Sequence, residues 1–331
     1  MKKKKTVLIT GGCGFLGRHF AKYLYNHGWK IVIVDDLSTG LHPDKWPQHL
    51  KVPFSFTKAD MRDFLKDHKG QYDLAIHLAA VVGGRAVIEG KPAMSAYSLE
   101  LDACFFRWAA KAKPKQIIYM SSSAIYPIDF QSAKSKTALK ETMVDFTKPH
   151  SAFGMPDLVY GWGKLTGEFL ASTFAKHYGL NVFCPRPFSG YGEDQDLSYP
   201  VPAICARAVN HENPLVIWGS GKQTRDFIYV DDIIRAIVTY LPKLRGYEVM
   251  NLGSGISNTF KDIAKIASMY VGYEPTIKNL ENKPEGVKTR FADTKRMQKH
   301  YKPEVSLEQG LKKVVDFLQK KKEDEENNRV D

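Results

Sequence analysis

Short runs of β-branched and aliphatic residues alternate with longer amphipathic stretches through the first half of the chain. The runs at Thr6–Thr10, Lys30–Asp35, Val52–Phe56, Tyr72–Leu78, Gln116–Ser121 and Asn181–Pro185 read as strands. Apolar spacing near 3.6 marks helices at Leu16–His27, Ser95–Lys113 and Leu158–Tyr178. Strand–helix alternation of this kind predicts an α/β fold built on a doubly wound parallel sheet. Beyond residue 186 the pattern breaks into prolines, a glycine-rich turn at Trp218-Gly219-Ser220-Gly221 and short mixed segments. The expected organisation is therefore a nucleotide-binding domain over 1–185 and a smaller lobe over 186–319, interleaved with the first. Residues 320–331 are nearly all charged or polar and read as a frayed tail.

Composition narrows the class. Of 331 residues 43% are hydrophobic, which suits an ordinary globular enzyme, and no apolar run reaches the roughly 20 residues of a membrane span. Cys13, Cys104, Cys184 and Cys205 are scattered without a Cys-x-x-Cys pair, which argues against a structural metal or disulfide framework and for a cytoplasmic setting. The net charge of +12 is spread along the chain, with no basic and aromatic stripe to track a nucleic acid. An attraction for a small anionic substrate fits it better.

The first chemical signal is Thr10-Gly11-Gly12-Cys13-Gly14-Phe15-Leu16-Gly17, between a strand and a helix. Gly11 permits a tight turn, Gly14 lets the backbone approach a pyrophosphate, and Gly17 lets the helix pack close. Phe15 and Leu16, in the same segment, are assigned to the cofactor site, where free N–H groups at the helix N-terminus meet the phosphates. Asp35 ends the next strand, where a carboxylate accepts bonds from a ribose diol and repels a 2′-phosphate, so the cofactor expected is NAD. Asp60-Met61 after the third strand and Leu78-Ala79-Ala80 after the fourth are placed to meet the same cofactor.

A second signal is the serine run Ser121-Ser122-Ser123 followed by Tyr160-Gly161-Trp162-Gly163-Lys164 at the start of a helix. Tyrosine and lysine four apart share a helix face. A lysine cation there lowers the phenol pKa, so Tyr160 can act as base toward an alcohol that Ser122 or Ser123 holds.

These motifs, with Arg186-Pro187-Phe188-Ser189-Gly190-Tyr191-Gly192, Gln223-Thr224-Arg225-Asp226-Phe227 and Asn251-Leu252-Gly253, resemble the extended short-chain dehydrogenase/reductases over about residues 5–300. That family comprises sugar-nucleotide epimerases and dehydratases. The resemblance implies NAD in the N-terminal lobe, a nucleoside diphosphate sugar in the C-terminal lobe, and a homodimer. It places Tyr160, Lys164 and Pro187 among the cofactor contacts and Ser122 as the active serine, with Ser123 as the alternative. It implies that Arg225 grips the diphosphate, that Arg290 assists, and that Gly84, Arg85, Ser123 and Ser189 line the sugar site. Ser189 is a departure, since many relatives carry asparagine there.

What is missing sorts the reaction. Family dehydratases and decarboxylases use an acid at the position of Ala124, and the 3,5-epimerase and fucose-synthase branches use a cysteine there. Alanine moves no proton. The lysine or histidine those branches carry near Tyr199-Pro200 is also lacking. Chemistry confined to C4 remains: 4-epimerisation or, alternatively, net oxidation or reduction at C4.

Overall fold

The computed structural model describes residues 4–82, 93–134, 137–147, 154–283 and 285–327. The N-terminal half runs β1 (Thr6–Thr10), α1 (Phe15–Asn26), β2 (Lys30–Asp35), β3 (Ser55–Lys58), α2 (Met61–Lys66), β4 (Leu74–His77), α3 (Ala93–Ala112), β5 (Ile117–Tyr119), α4 (Leu158–Tyr178) and β6 (Val182–Pro187). The remainder runs β7 (Ser189–Tyr191), α5 (Pro200–Val209), β8 (Leu215–Trp218), β9 (Thr224–Tyr229), α6 (Val230–Tyr240), β10 (Tyr247–Leu252), β11 (Ser257–Thr259), α7 (Phe260–Val271), β12 (Ile277–Leu280), β13 (Thr289–Arg290), α8 (Lys295–Gln298) and α9 (Leu307–Asn327).

Among the described residues the main sheet has seven parallel strands in the order β10-β6-β5-β4-β1-β2-β3. Val7, Leu8 and Ile9, like Leu74, Ala75 and Ile76, are fully buried, as strands covered by helices on both faces must be. The chain winds outward in opposite directions from β1 and β4, so the loops after these two strands open onto one crevice. Ligands bind at such a switch point.

The second half is more ordered than its sequence pattern suggests. Helices α5, α7 and α9 pack on one another beside two small sheets, β11-β9-β13 with β7 on β9, and β12-β8. β10 returns to the main sheet beside β6. Two boundaries differ from expectation. The third strand starts at Ser55 and not at Val52, because Pro53 offers no N–H to a ladder. The charged stretch expected to fray from residue 320 is helical to Asn327, continuing α9 on good helix-forming Lys and Glu residues. Among the described residues no helix is long and apolar enough to cross a membrane.

Candidate active site

The glycine loop follows from contacts that leave no room for side chains. Gly11 has φ +69°, and a Cβ there would lie 2.5 Å from the Ala79 nitrogen and 2.8 Å from the Leu78 carbonyl carbon. The loops after β1 and β4 therefore touch at the switch point, with Ala80 next along the second loop. A Cβ on Gly17 would lie 2.5 Å from the Gly12 carbonyl oxygen, so glycine lets α1 sit against the loop. A Cβ on Gly14 meets only the Gly11 oxygen, at 3.3 Å, and otherwise projects into the cradle over the N-terminus of α1. Phe15 and Leu16 begin that helix and pack on the core. This backbone cradle fits a pyrophosphate.

Asp35 is buried at the end of β2. Its carboxylate accepts the Cys13 N–H at 2.9 Å and the Leu37 N–H at 2.8 Å, while burial pushes its pKa up. Asp36 turns out to solvent and caps Ser38. Asp60 caps α2 through the Arg62 N–H, and the Arg62 guanidinium holds its carboxyl below the usual range. Met61 beside it is buried. His77, buried at the end of β4, is a core residue. Its ring accepts or donates to Thr10 at 2.7 Å and Asp102 at 3.0 Å and stacks on Phe105.

A cavity of about 610 Å³ opens beside this crevice. Among the expected residues, Ser122, Ser123, Tyr160, Ser189, Arg225 and Arg290 all line it, together with Ala124. Pro187 ends β6 one residue before the cavity wall at Phe188. Gly84 and Arg85 lie outside the described residues.

The placement of Tyr160 has a local cause. Ser122 caps a short turn by accepting the Ala124 N–H at 3.1 Å, and the Ala124 carbonyl accepts the Asp157 N–H at 2.9 Å at the start of α4. A Cβ on Gly161 would lie 2.4 Å from that same carbonyl oxygen, so the serine turn and the tyrosine helix meet only because residue 161 is glycine. One turn on, Lys164 is buried. Its amine donates to the Met120 carbonyl at 2.9 Å and lies over the Tyr119 ring.

Arg225 and Arg290 face each other as register partners on the parallel strands β9 and β13. Arg225 donates to the carbonyls of Thr224 at 2.7 Å and Val287 at 2.8 Å. Arg290 pairs with Asp157 at 2.6 Å and with Gln131. Asp226, fully buried, accepts from Ser254, Gly255 and Ala292 and so ties β9 to the strand carrying Arg290.

Sequence reasoning missed three features. The first is the rest of the cavity wall, including Tyr199, Arg207 and Trp218. The second is a fully buried network behind it: Glu168 takes two bonds from Arg186, at 2.9 and 2.7 Å, and others from Ser121 and Tyr247. Arg186 continues to Tyr126, which donates to Asn251 at 2.6 Å. The third joins α1 to the loop after β7. Asp194 accepts from Arg18 and lies 2.6 Å from His19. Burial alone would lower the His19 pKa, but Asp194 and Asp231 hold it up at about 9. Only Glu168 and Arg186, at fixed offsets from Lys164 and Pro187, leave a signal in the sequence.

The sequence profile of the NAD dependent epimerase/dehydratase family matches residues 7–253. A UDP-glucuronate 4-epimerase of Thermodesulfobacterium geofontis is 28% identical, over 94% of this chain and 95% of that one. A UDP-N-acetyl-alpha-D-glucosaminuronate decarboxylase of Bacillus cytotoxicus is 27% identical, over 95% and 98%. The crystal structure of UDP-glucose 4-epimerase from Thermotoga maritima, with UDP-glucose, superposes with a TM-score of 0.80 at 26% identity, covering 96% of this chain and 99% of that one.

Proposed function

This chain belongs to the NAD-dependent epimerase/dehydratase family, and on that premise we propose that it is a 4-epimerase of a nucleoside diphosphate sugar. The observation that carries the reading is one cavity holding Ser122, Ser123 and Tyr160 together with the registered pair Arg225 and Arg290, while Ala124 offers no acid. Two guanidiniums on adjacent strands suit a diphosphate. Residues 1–185 bind the cofactor, and 186–319 supply most of the substrate wall.

NAD, when bound, supplies the acceptor for the electron pair and hydrogen that leave C4, and gives them back. Gly11, Gly14, Phe15, Leu16 and Gly17 would cradle its phosphates, Asp35 its ribose diol, and Asp60, Met61, Leu78, Ala79, Ala80 and Pro187 its flanks. Tyr160 takes the C4 hydroxyl proton, Ser122 or Ser123 holds the same oxygen, and Lys164 stabilises the phenolate. Once the ring has turned, Tyr160 returns the proton. Ser189 belongs to the sugar site, and Gly84 and Arg85 are assigned to sugar binding with it. The relatives with epimerase names support this outcome over net oxidation.

The protein acts as a homodimer in the cytoplasm. Trp162 and Phe169, two turns apart on α4, are each about half exposed, a face suited to a second copy, and all four cysteines are free thiols.

A panel of UDP-, GDP-, CDP- and TDP-sugars, followed by NMR in D2O and by absorbance at 340 nm, tests the reaction. Inversion at C4 with no deuterium at C3 or C5 is expected. Deuterium at C5 refutes chemistry confined to C4, and stoichiometric NADH with a stable keto product replaces epimerisation by dehydrogenation.

A further inference from the structure

The charged residues on the cavity wall are engaged with the protein itself. Arg290 pairs with Asp157, Arg225 donates to backbone carbonyls, Arg207 donates to the Val216 carbonyl, and Glu285 accepts from Ser220 and Lys288. Two phenols differ. Among the described residues the hydroxyls of Tyr160 and Tyr199 have no hydrogen-bond partner, yet both side chains line the cavity. They come from different elements. Tyr160 sits in the first turn of α4, and Tyr199 caps α5, where its N–H donates to the Asp196 carbonyl at 3.1 Å. Both line one cavity, and the electrostatic influence of Tyr160 reaches Tyr199 across it.

A polar atom left without a protein partner in a half-buried wall is costly unless water or a ligand meets it. A sugar that presents a hydroxyl to Tyr160 occupies the same cavity that Tyr199 lines. We propose that Tyr199 contacts that sugar and donates a hydrogen bond to a substituent beside the carbon Tyr160 serves. The proposal rests on the sugar-nucleotide reading above. Burial, and then the neighbouring Tyr160 charge, push the Tyr199 pKa up, so it stays protonated when Tyr160 works as a base. Tyr199 is thus a donor and not a second base. Its task is to keep the keto-sugar in the pocket during the turn, in a site where Ala124 offers no hold.

The test compares Y199F with wild type and Y160F on the sugar nucleotide that the wild type turns over. Y199F keeps the ring and loses only the hydroxyl. It should lower kcat/KM about ten-fold, the scale of one lost hydrogen bond. It should also raise the share of enzyme caught as NADH at 340 nm during turnover, because the keto-sugar escapes. Affinity for the matching free nucleoside diphosphate should not change. A kcat/KM within two-fold of wild type overturns the proposal. So does an equal loss of nucleoside diphosphate binding, which would make Tyr199 a residue of the fold. A wild type that turns over no sugar nucleotide overturns the underlying reading as well, and is told apart by the wild-type arm alone.

Discussion

Helix α4 contributes to two polar regions, one shared with β6 and one with the start of α5, and they are built on opposite terms. Behind the site, Glu168 and Arg186 are fully buried and every bond they make ends on protein: Ser121, Tyr247, Tyr126 and the carbonyls of Glu141 and Val144. In front, among the described residues, Tyr160 and Tyr199 present hydroxyls without protein partners. The first region is satisfied within the protein, the second is left open to the cavity. A buried charge pair is strong evidence for geometry and weak evidence for net stability. An open phenol on a rigid wall is evidence for a ligand.

The sharpest way to break this contrast is to damage each region and ask which property moves. Tyr160→Phe should cost about 10²–10⁴-fold in kcat, the usual worth of a general acid–base group, with thermal stability and NAD binding unchanged. A rate within a few-fold of wild type would remove Tyr160 from the chemistry. Glu168→Ala should act the other way round, lowering unfolding free energy by about 3–5 kcal/mol in a denaturant titration, since it strands the Arg186 charge. If the melting curve stays put while turnover drops, Glu168 belongs to the front region after all.

Arg225→Ala sits between the two, because its guanidinium both lines the cavity and ties down carbonyls. Losing a charge-assisted bond costs about 1.5–3 kcal/mol, so nucleoside diphosphate affinity should fall roughly ten-fold or more while NAD affinity holds. Unchanged binding by calorimetry would assign Arg225 to the fold. A smaller effect is expected from Asp35→Ala, which should narrow the preference for NAD over NADP by removing the charge that repels a 2′-phosphate. Equal wild-type affinities for both would contradict the placement of that acid. The last prediction concerns pH, through His19. Its pKa rises from 6.5 to about 9 on folding, so its contribution to stability is complete below pH 6.5 and drains away as pH climbs through 9. His19→Gln should flatten that decline, and an unaltered profile would show that another group governs it.

How much of this was legible beforehand depends on the range of the interaction. Leu158–Tyr178 is read in full because its signals are local: periodicity, and Gly179 at φ +65° to stop it. The glycine loop and Asp35 are legible because a nucleotide fold fixes their offsets. The third strand starts later than its apolar run because Pro53 brings no N–H to the ladder, a local effect that hydrophobic patterning does not show. Asp194 could not be found, since its partners Arg18 and His19 lie about 175 residues away in sequence. Tyr199 was passed over for a different reason. The lysine or histidine that the resemblance implies near this position is lacking, and a phenol stands there.

Gly161 carries a consequence for how such a protein can change over generations. With the Ala124 oxygen 2.4 Å from where a Cβ would sit, each of the other amino acids at this position would have to push the tyrosine helix away from the serine turn. The residue touches neither ligand, yet the distance between proton acceptor and hydroxyl holder is written into its lack of a side chain. Drift can repaint the cavity at Ser189, Tyr199 or Trp218 and so trade one sugar for another. The same freedom does not extend to position 161, where even a single methyl group would disturb the chemistry all those sugars share.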